Sequence, residues 1–502
     1  VAAAEAVLPP DCDAEPAIDL LQSLRDRSLI QLVQATAPAA EPRFSLLRSV
    51  AAYALERLAP QERARAEDLI AAYLLKHCSK LAHGSTDHGG ATKFLRLADE
   101  LPNLLGTAKT MLNRAPKTPR DTETALMAAL AAAPVLLASG PVSALLETLD
   151  EAIRGAADAP DTDPRLLAES LVTRAEALVS VGRPGEARRD AEEALLISER
   201  TADDALRGAA LLALAGAAAG QGRVEEGIDV CEQALAAHRR TGDDRLAGLT
   251  LDRLGRLAAR GGVMDRALQF HERALAVLRR AGDQRALSWA LDHTGSSCME
   301  AGLYADAARN LEGALQSMQQ LGARRGEGVV RGHLARLLLL EGDFGRARAQ
   351  IRLAQEALRG VGDRDREGRV LALEVMRLLL LGRADKAREP AHGALLRAHE
   401  GGEHEVIIRA HLLASMTCAA VGDTRDAEQA LDDATGWLGS GNRMLALEVA
   451  IARAHVDAAF ARAATASDHL AAAAQHYEEA ETRIRRAELD AELDDGPVGS
   501  SL

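Results

Sequence analysis

Aromatic residues are nearly missing from this chain of 502 residues: Phe, Trp and Tyr together supply 2 % of it. Sheet proteins draw their cores from aromatic and β-branched side chains, so that scarcity argues against a strand-rich fold. Apolar residues nonetheless reach 47 %, carried by Ala and Leu. Both lose little rotamer freedom in a helix, and Ala lets helices approach closely. The expected class is all-α.

Lysine is scarce too. There are six, none after a glycine-rich turn, and no G-x-x-x-x-G-K-[ST] occurs anywhere. Lacking a phosphate cradle and its lysine, the chain carries no nucleoside triphosphate chemistry. Five cysteines (Cys12, Cys78, Cys231, Cys298, Cys418) stand far apart with no metal-ligand or redox spacing. Such a set reads as buried reduced thiols of a cytoplasmic protein. No apolar run of membrane-spanning length is expected, and no basic flank precedes an apolar stretch near the start. The formal net charge of -14 speaks against a general nucleic-acid or anionic-membrane binder. The chain opens on Val rather than Met, and its apolar start (Val1 to Leu8) reads as a helix cut from a larger packing unit.

What the chain does have is a repeat. Gly recurs at Gly182, Gly222, Gly262, Gly302, Gly342, Gly382 and Gly422, every 40 residues. Five residues after each stands a small residue: Ala187, Gly227, Ala267, Ala307, Ala347, Ala387, Ala427. Seven further on stands Ala194, Ala234, Ala274, Ala314, Ala354, Ala394 or Ala434. A second breaker lies between units, as in Gly242-Asp243, Gly282-Asp283 and Gly362-Asp363. The pattern predicts a helix A ended by Gly in a left-handed turn, then a helix B crossing it closely at the alanines. The Asp after each helix B is placed to cap the next helix A. Units that bury one face only against neighbours must stack into an array.

Small-x6-Gly-x4-Ala-x6-Ala resembles the tetratricopeptide signature in a 40-residue form, with Leu or Ala where that family carries large aromatics in helix A. The resemblance implies a right-handed α-solenoid whose concave groove, lined by helix A, binds a protein or peptide. Residues 119–490 would hold about nine helix pairs, the first of them a degenerate unit at 119–160. The last, at 441–490, keeps the phase at Ser467 and Ala474 and runs on through Arg483, Arg485 and Arg486. Residues 61–118 would connect, and 491–502 would form a disordered tail.

Residues 1–60 differ in character. A helix over Pro16–Arg27, strands at Ser28–Gln34 and Arg43–Arg48, and a helix over Ser49–Leu58 make a winged-helix-like segment. The stretches LLQSLRDRSLIQ, PRFSLLRSVAAYALERL and LADELPNLLGTA resemble the segment after the nucleotide-binding core in bacterial STAND signal-transduction ATPases. That resemblance implies the sensor and autoinhibitory half of such an ATPase or transcriptional regulator, with an upstream NTPase or effector as partner. Two alternatives remain: a stand-alone adaptor, and a DNA-binding regulator using Arg25, Arg27, Arg43 and Arg48.

Counting back from each repeat Gly gives the groove-facing positions. Asp252, Arg256, Arg260, Trp289, Asp292, Glu300 and Arg336 form a polar half; Leu339, Leu340, Met376, Leu379, Leu380 and Met416 form an apolar half. Such a pair of surfaces suits a short amphipathic segment, with Trp289 and the arginines as anchors. The plainer alternative is that the charges pair along the groove while the Leu and Met side chains pack between helices. His77, Cys78, His83, Asp87 and His88 are the nearest approach to a metal set, but their loop offers ligands little support. His293 and His333 share a repeat phase and read as surface or satisfied interior histidines. No metal, cofactor, Ser-His-Asp, paired-carboxylate or Cys-His site is expected, so the chain reads as a binding protein rather than an enzyme.

Overall fold

The computed structural model describes residues 2–7, 16–33, 43–85, 90–115, 117–157, 161–401, 404–438, 443–459, 471 and 475. Cys12, Asp87, His88, Ser467, Ala474, Arg483, Arg485, Arg486 and the 491–502 tail lie outside them. The N-terminal segment is α1 (Ala2–Val7), α2 (Ala17–Asp26), β1 (Ile30–Val33), β2 (Arg43–Leu46) and α3 (Arg48–Arg57). The long helices α4 (Pro60–Gly84) and α5 (Ala91–Leu112) follow. Then come α6 (Pro119–Ser139), α7 (Val142–Ala157), α8 (Pro164–Ser180), α9 (Pro184–Thr201), α10 (Asp204–Gly220) and α11 (Val224–Thr241). The array continues with α12 (Asp244–Arg260), α13 (Met264–Ala281), α14 (Gln284–Glu300), α15 (Tyr304–Gln320), α16 (Arg324–Leu340) and α17 (Phe344–Val361). It closes with α18 (Arg364–Leu380), α19 (Ala384–Gly401), α20 (His404–Ala420), α21 (Thr424–Trp437) and α22 (Arg443–Ala459). From α6 onward, even-numbered helices are type A and odd-numbered ones type B.

The repeat glycines do what their spacing predicts. All seven adopt φ between 66° and 83°, where a Cβ would cost about 1–2 kcal/mol. The next amide reaches back across the turn, as Arg223 N to Ala218 O at 2.9 Å and Leu303 N to Cys298 O at 2.8 Å. This satisfies carbonyls that the helix end would leave bare. Helix A then starts on its aspartate: Asp243 accepts from Leu246 N, Asp283 from Ala286 N and Asp363 from Arg366 N. The two alanine series at the crossings are all but inaccessible, Ala267, Ala274, Ala307 and Ala314 among them at 0 %.

Arginines tie neighbouring units together. Arg245 reaches the cap Asp283 at 2.7 Å, and Arg325 repeats the contact with Asp363 at 2.7 Å. Other arginines span much longer stretches of sequence. Arg285 donates to Pro134 O at 3.0 Å, and Arg325 to Leu137 O at 3.2 Å and Ser180 O at 3.3 Å. Leu137 O would find its helical donor four residues on, but that residue is Pro141, which has no N–H; Ser180 ends α8. Arg325 of α16 therefore fills bare carbonyls at the ends of α6 and α8, while Arg285 of α14 adds a bond to the last turns of α6. These are all A helices, so the array curls back on itself and the A helices line its concave inner side, the channel.

Two sequence expectations change here. Helix α6, at 21 residues, is by length and composition apolar enough to cross a membrane, contrary to the reading that no such run exists. Most of it is buried, packed against α4, α5, α7, α8 and α16. The N-terminal strands pair antiparallel with Ile30 opposite Leu46, shorter than read from sequence. Arg43 forms an ion pair with Glu100 of α5, which removes one of the arginines offered to DNA, while Arg25 stays at the surface beside its neighbour Asp26.

Candidate functional site

The channel-facing positions recur at fixed distances before each repeat Gly. Ten before it stand Asp252 and Asp292; nine before the next stand His293 and His333. The sequence places both aspartates on the groove face, open to a partner or paired along it, and the structure shows them buried and paired. Asp252 is 6 % and Asp292 1 % exposed. His293 donates from Nδ1 to Asp252 Oδ2 at 2.7 Å, and His333 from Nδ1 to Asp292 Oδ1 at 2.8 Å. One unit's aspartate is thus locked to the next unit's histidine. Burial opposes the charge on Asp252, yet the His293 and His271 imidazoles outweigh it and hold the carboxyl well below its usual range.

Asp252 has a second partner the sequence did not reveal. His271 of α13, wholly buried, sits 3.2 Å from Asp252 Oδ1 through Nδ1 and 3.2 Å from Ser297 Oγ through Nε2. Asp252, His271 and Ser297 therefore stand in the hydrogen-bond order of a hydrolase triad, an arrangement that sequence reasoning missed. Its setting is structural. Ser297 is 4 % exposed in the interior of α14, where backbone amides are spent on the helix and none is free to hold an oxyanion. Gly255 makes the room: a Cβ there would fall 2.7 Å from the His271 ring.

The remaining candidates divide by exposure. Arg256, Arg260, Glu300 and Arg336 reach solvent; Arg336 pairs with Glu300 at 3.6 Å, and Arg260 reaches across to Glu405 of α20 at 3.0 Å. Trp289 is half-buried and stacks on His293, the ring centroids 6.1 Å apart, so it backs the wall instead of standing clear of it. Leu340 (51 %), Met376 (38 %) and Leu380 (57 %) are open, Met416 and Leu379 are half-buried, and Leu339 is buried. The channel thus brings an open apolar strip and exposed arginines to one inner face.

Arg256 stands apart. Among the described residues it has no hydrogen-bond or ion-pair partner. Crowding by the channel wall, then the charges of Arg253, Arg260 and Arg366, push its guanidinium down to about 10, opposed by Asp252. Arg253 and Arg366 were not read as site residues. Arg253 was legible, lying three and seven residues before Arg256 and Arg260 on one helix face. Arg366 comes in from α18 and follows only from the curl of the array.

A cleft of about 820 Å³ between α4, α5 and α6 holds Arg114 against Glu67, Asp68 and Asp121. Near the histidine-rich loop, His77 stacks on Tyr73 and His83 bonds Ser79 O at 2.8 Å. Cys78 is buried and its thiol pushed up to about 12, chiefly by burial. Among the described residues no group of three metal-type side chains converges.

The tetratricopeptide repeat family matches residues 206–280, which begin in α10 and end in α13. The fold is a tetratricopeptide-type α-solenoid. Among solved structures, a Rap protein complexed with competence and sporulation factor aligns over 72 % of this chain and 99 % of its own, at 12 % identity and a TM-score of 0.55. The Rap conjugation gene regulator of plasmid pLS20, in complex with the Phr* peptide, aligns over 73 % and 97 %, at 12 % identity and a TM-score of 0.50. A STAND protein with a tetratricopeptide repeat sensor from Pyrococcus horikoshii covers 77 % of this chain and 59 % of its own, at 16 % identity. Its TM-score of 0.38 is too low to argue from. No curated protein matches the chain.

Proposed function

We propose that this solenoid is a non-catalytic recognition module whose A-helix channel takes an extended protein or peptide segment. The observation that carries the reading is the open apolar strip of Leu340, Met376 and Leu380 beside exposed arginines inside a channel. Apolar side chains left open in a concave wall suit a partner that buries them. The Rap proteins of similar fold were solved in complex with competence and sporulation factor and with the Phr* peptide, in keeping with this use of the fold.

A finer reading places the module as the sensor and autoinhibitory half of a STAND-type ATPase or regulator, with an NTPase or effector as its upstream partner. It rests on the sequence resemblance and on the winged-helix-like segment, whose hairpin and helices leave Leu32 (65 %), Leu46 (50 %), Tyr53 (60 %) and Ile18 (51 %) uncovered. An upstream domain packed there would cover them. Two tests separate the claims. Affinity capture with the full chain, compared with Met376→Glu/Leu380→Glu, should lose a specific partner in the variant; an identical set would overturn the channel reading. An immunoblot of the producing cells should show a band well above 53.1 kDa. A band at that mass would overturn the fused-NTPase reading.

A further inference from the structure

Near the end of the array two histidines turn their ring nitrogens toward each other. His399, in the last turn of α19, places Nε2 3.3 Å from Nε2 of His411, in the middle of α20, with the ring planes 86° apart. His411 is buried, whereas His399 is exposed. Helix α21 supplies the surroundings. Its Asp433 Oδ2 stands 3.9 Å from His411 Nδ1, a buried nitrogen with no hydrogen-bond partner. The other oxygen of Asp433 accepts from Gln429 Nε2 at 2.9 Å, and the Trp437 ring lies 5.8 Å from that of His399.

Distance decides between two uses of this pair. Hydrogen bonds from N–H donors cluster near about 2.9–3.0 Å, so 3.3 Å is long for two imidazoles sharing one proton. Two nitrogens bound to one zinc ion, each about 2.0–2.1 Å away at the tetrahedral angle, stand about 3.3–3.4 Å apart. At a right angle the same bonds would bring them to about 2.9 Å. We propose that His399 and His411 bind a zinc ion through their Nε2 atoms, with Asp433 as the carboxylate that orients His411. Metal-bound imidazoles commonly donate their other ring N–H to such a group. Among the described residues no third metal-type side chain joins the pair, so the remaining positions face water through the exposed His399. The ligands come from consecutive helices, and a bound ion therefore ties α19 to α20. The site uses two B helices and the A helix between them, and is independent of the channel reading.

The test titrates the full, tag-free chain with zinc chloride by isothermal calorimetry. The expected result is one zinc per chain, weakened tenfold or more in His399→Ala and in His411→Gln. His392→Ala, at an exposed histidine two turns earlier on α19, should bind as wild type does. Asp433→Asn should weaken binding about tenfold, and unchanged affinity there would remove its orienting role. Saturating zinc should raise the melting temperature of wild type and not of His399→Ala, because the unfolded chain holds no preformed pair. A second readout uses Trp289→Phe, which leaves Trp437 as the one tryptophan. Copper(II), favoured over zinc by nitrogen ligands, should quench its emission, and His399→Ala should abolish the quenching. If His411→Gln does not fold, the exposed His399 carries the test alone. Absence of zinc binding, or binding that survives His399→Ala, overturns the site. An equal loss in His392→Ala also overturns it, by assigning the ion to the surface of α19.

Discussion

Replacing Arg325 with Met should open the curl of the array. Arg325 is 5 % exposed and makes three contacts: Asp363 at 2.7 Å, Leu137 O at 3.2 Å and Ser180 O at 3.3 Å. Burial, then Arg366, pushes its own guanidinium down to about 10, so the charge is held there by its partners at a cost in solvation. Removing one member of a buried ion pair typically costs about 3–5 kcal/mol, because the other is left unpaired. Asp363 would keep Arg366 at 3.2 Å, which moves the expectation to the lower end, about 3 kcal/mol. Met keeps much of the volume, so the change reads the polar contacts and not a cavity. Urea unfolding should show the loss, and small-angle scattering at low urea should show a larger radius of gyration, since α16 would no longer hold α6 and α8. Arg346→Met, on an exposed arginine of α17, is the control. A loss below about 0.5 kcal/mol, the range of ordinary surface substitutions, with unchanged scattering, would refute the closure argument.

Other consequences follow from the same geometry. Gly255→Ala should destabilise by about 1–2 kcal/mol net, overpacking against the His271 ring outweighing the gain in helix propensity. Adding His271→Cys should recover part of it by recreating the Ala215 and Cys231 combination of the preceding unit, as chemical denaturation would show. His238 is wholly buried with both ring nitrogens unpartnered, and burial holds its pKa below the ordinary value. The unfolded chain therefore takes up a proton below about pH 6.5 while the folded one does not, and stability falls as pH drops through that window. His238→Leu should flatten this slope in denaturation at pH 5.5 to 7.5, roughly one unit either side of the unfolded value. Asp292 is held below its usual range by His333 against the pull of burial, so its contribution is present above about pH 4 and lost as acid protonates it. Asn at 292 should narrow the gap to wild type as pH falls through 4 to 2.

The array was legible because its punctuation is chemical. A left-handed Gly, a cap Asp and two Ala contacts each have one backbone or packing role, and they recur at fixed spacing. The apolar strip was legible only in part: phase picks out Leu340, Met376 and Leu380, which are exposed, together with Leu339, Leu379 and Met416, which are buried or half-buried. What phase cannot show is who pairs with whom across units. Asp252 and Asp292 looked like free groove charges because their histidines lie 41 residues on, and His271 reaches Asp252 only because Gly255 leaves space. Arg366 joins Arg256 through the superhelical curl, a property of the summed rotations between units. Trp289 promised an anchor by residue type, yet stacking on His293 commits much of its surface to the wall.

The most direct test of the account is hydrogen–deuterium exchange on the full chain, with and without a partner that the full chain captures and Met376→Glu/Leu380→Glu does not. The account predicts slowed exchange concentrated in the A helices, over 252–260 of α12 and 372–380 of α18, with the B helices α13, α17 and α19 little changed. Protection confined to B helices or to the N-terminal hairpin would contradict the claim that the inner channel is the binding surface.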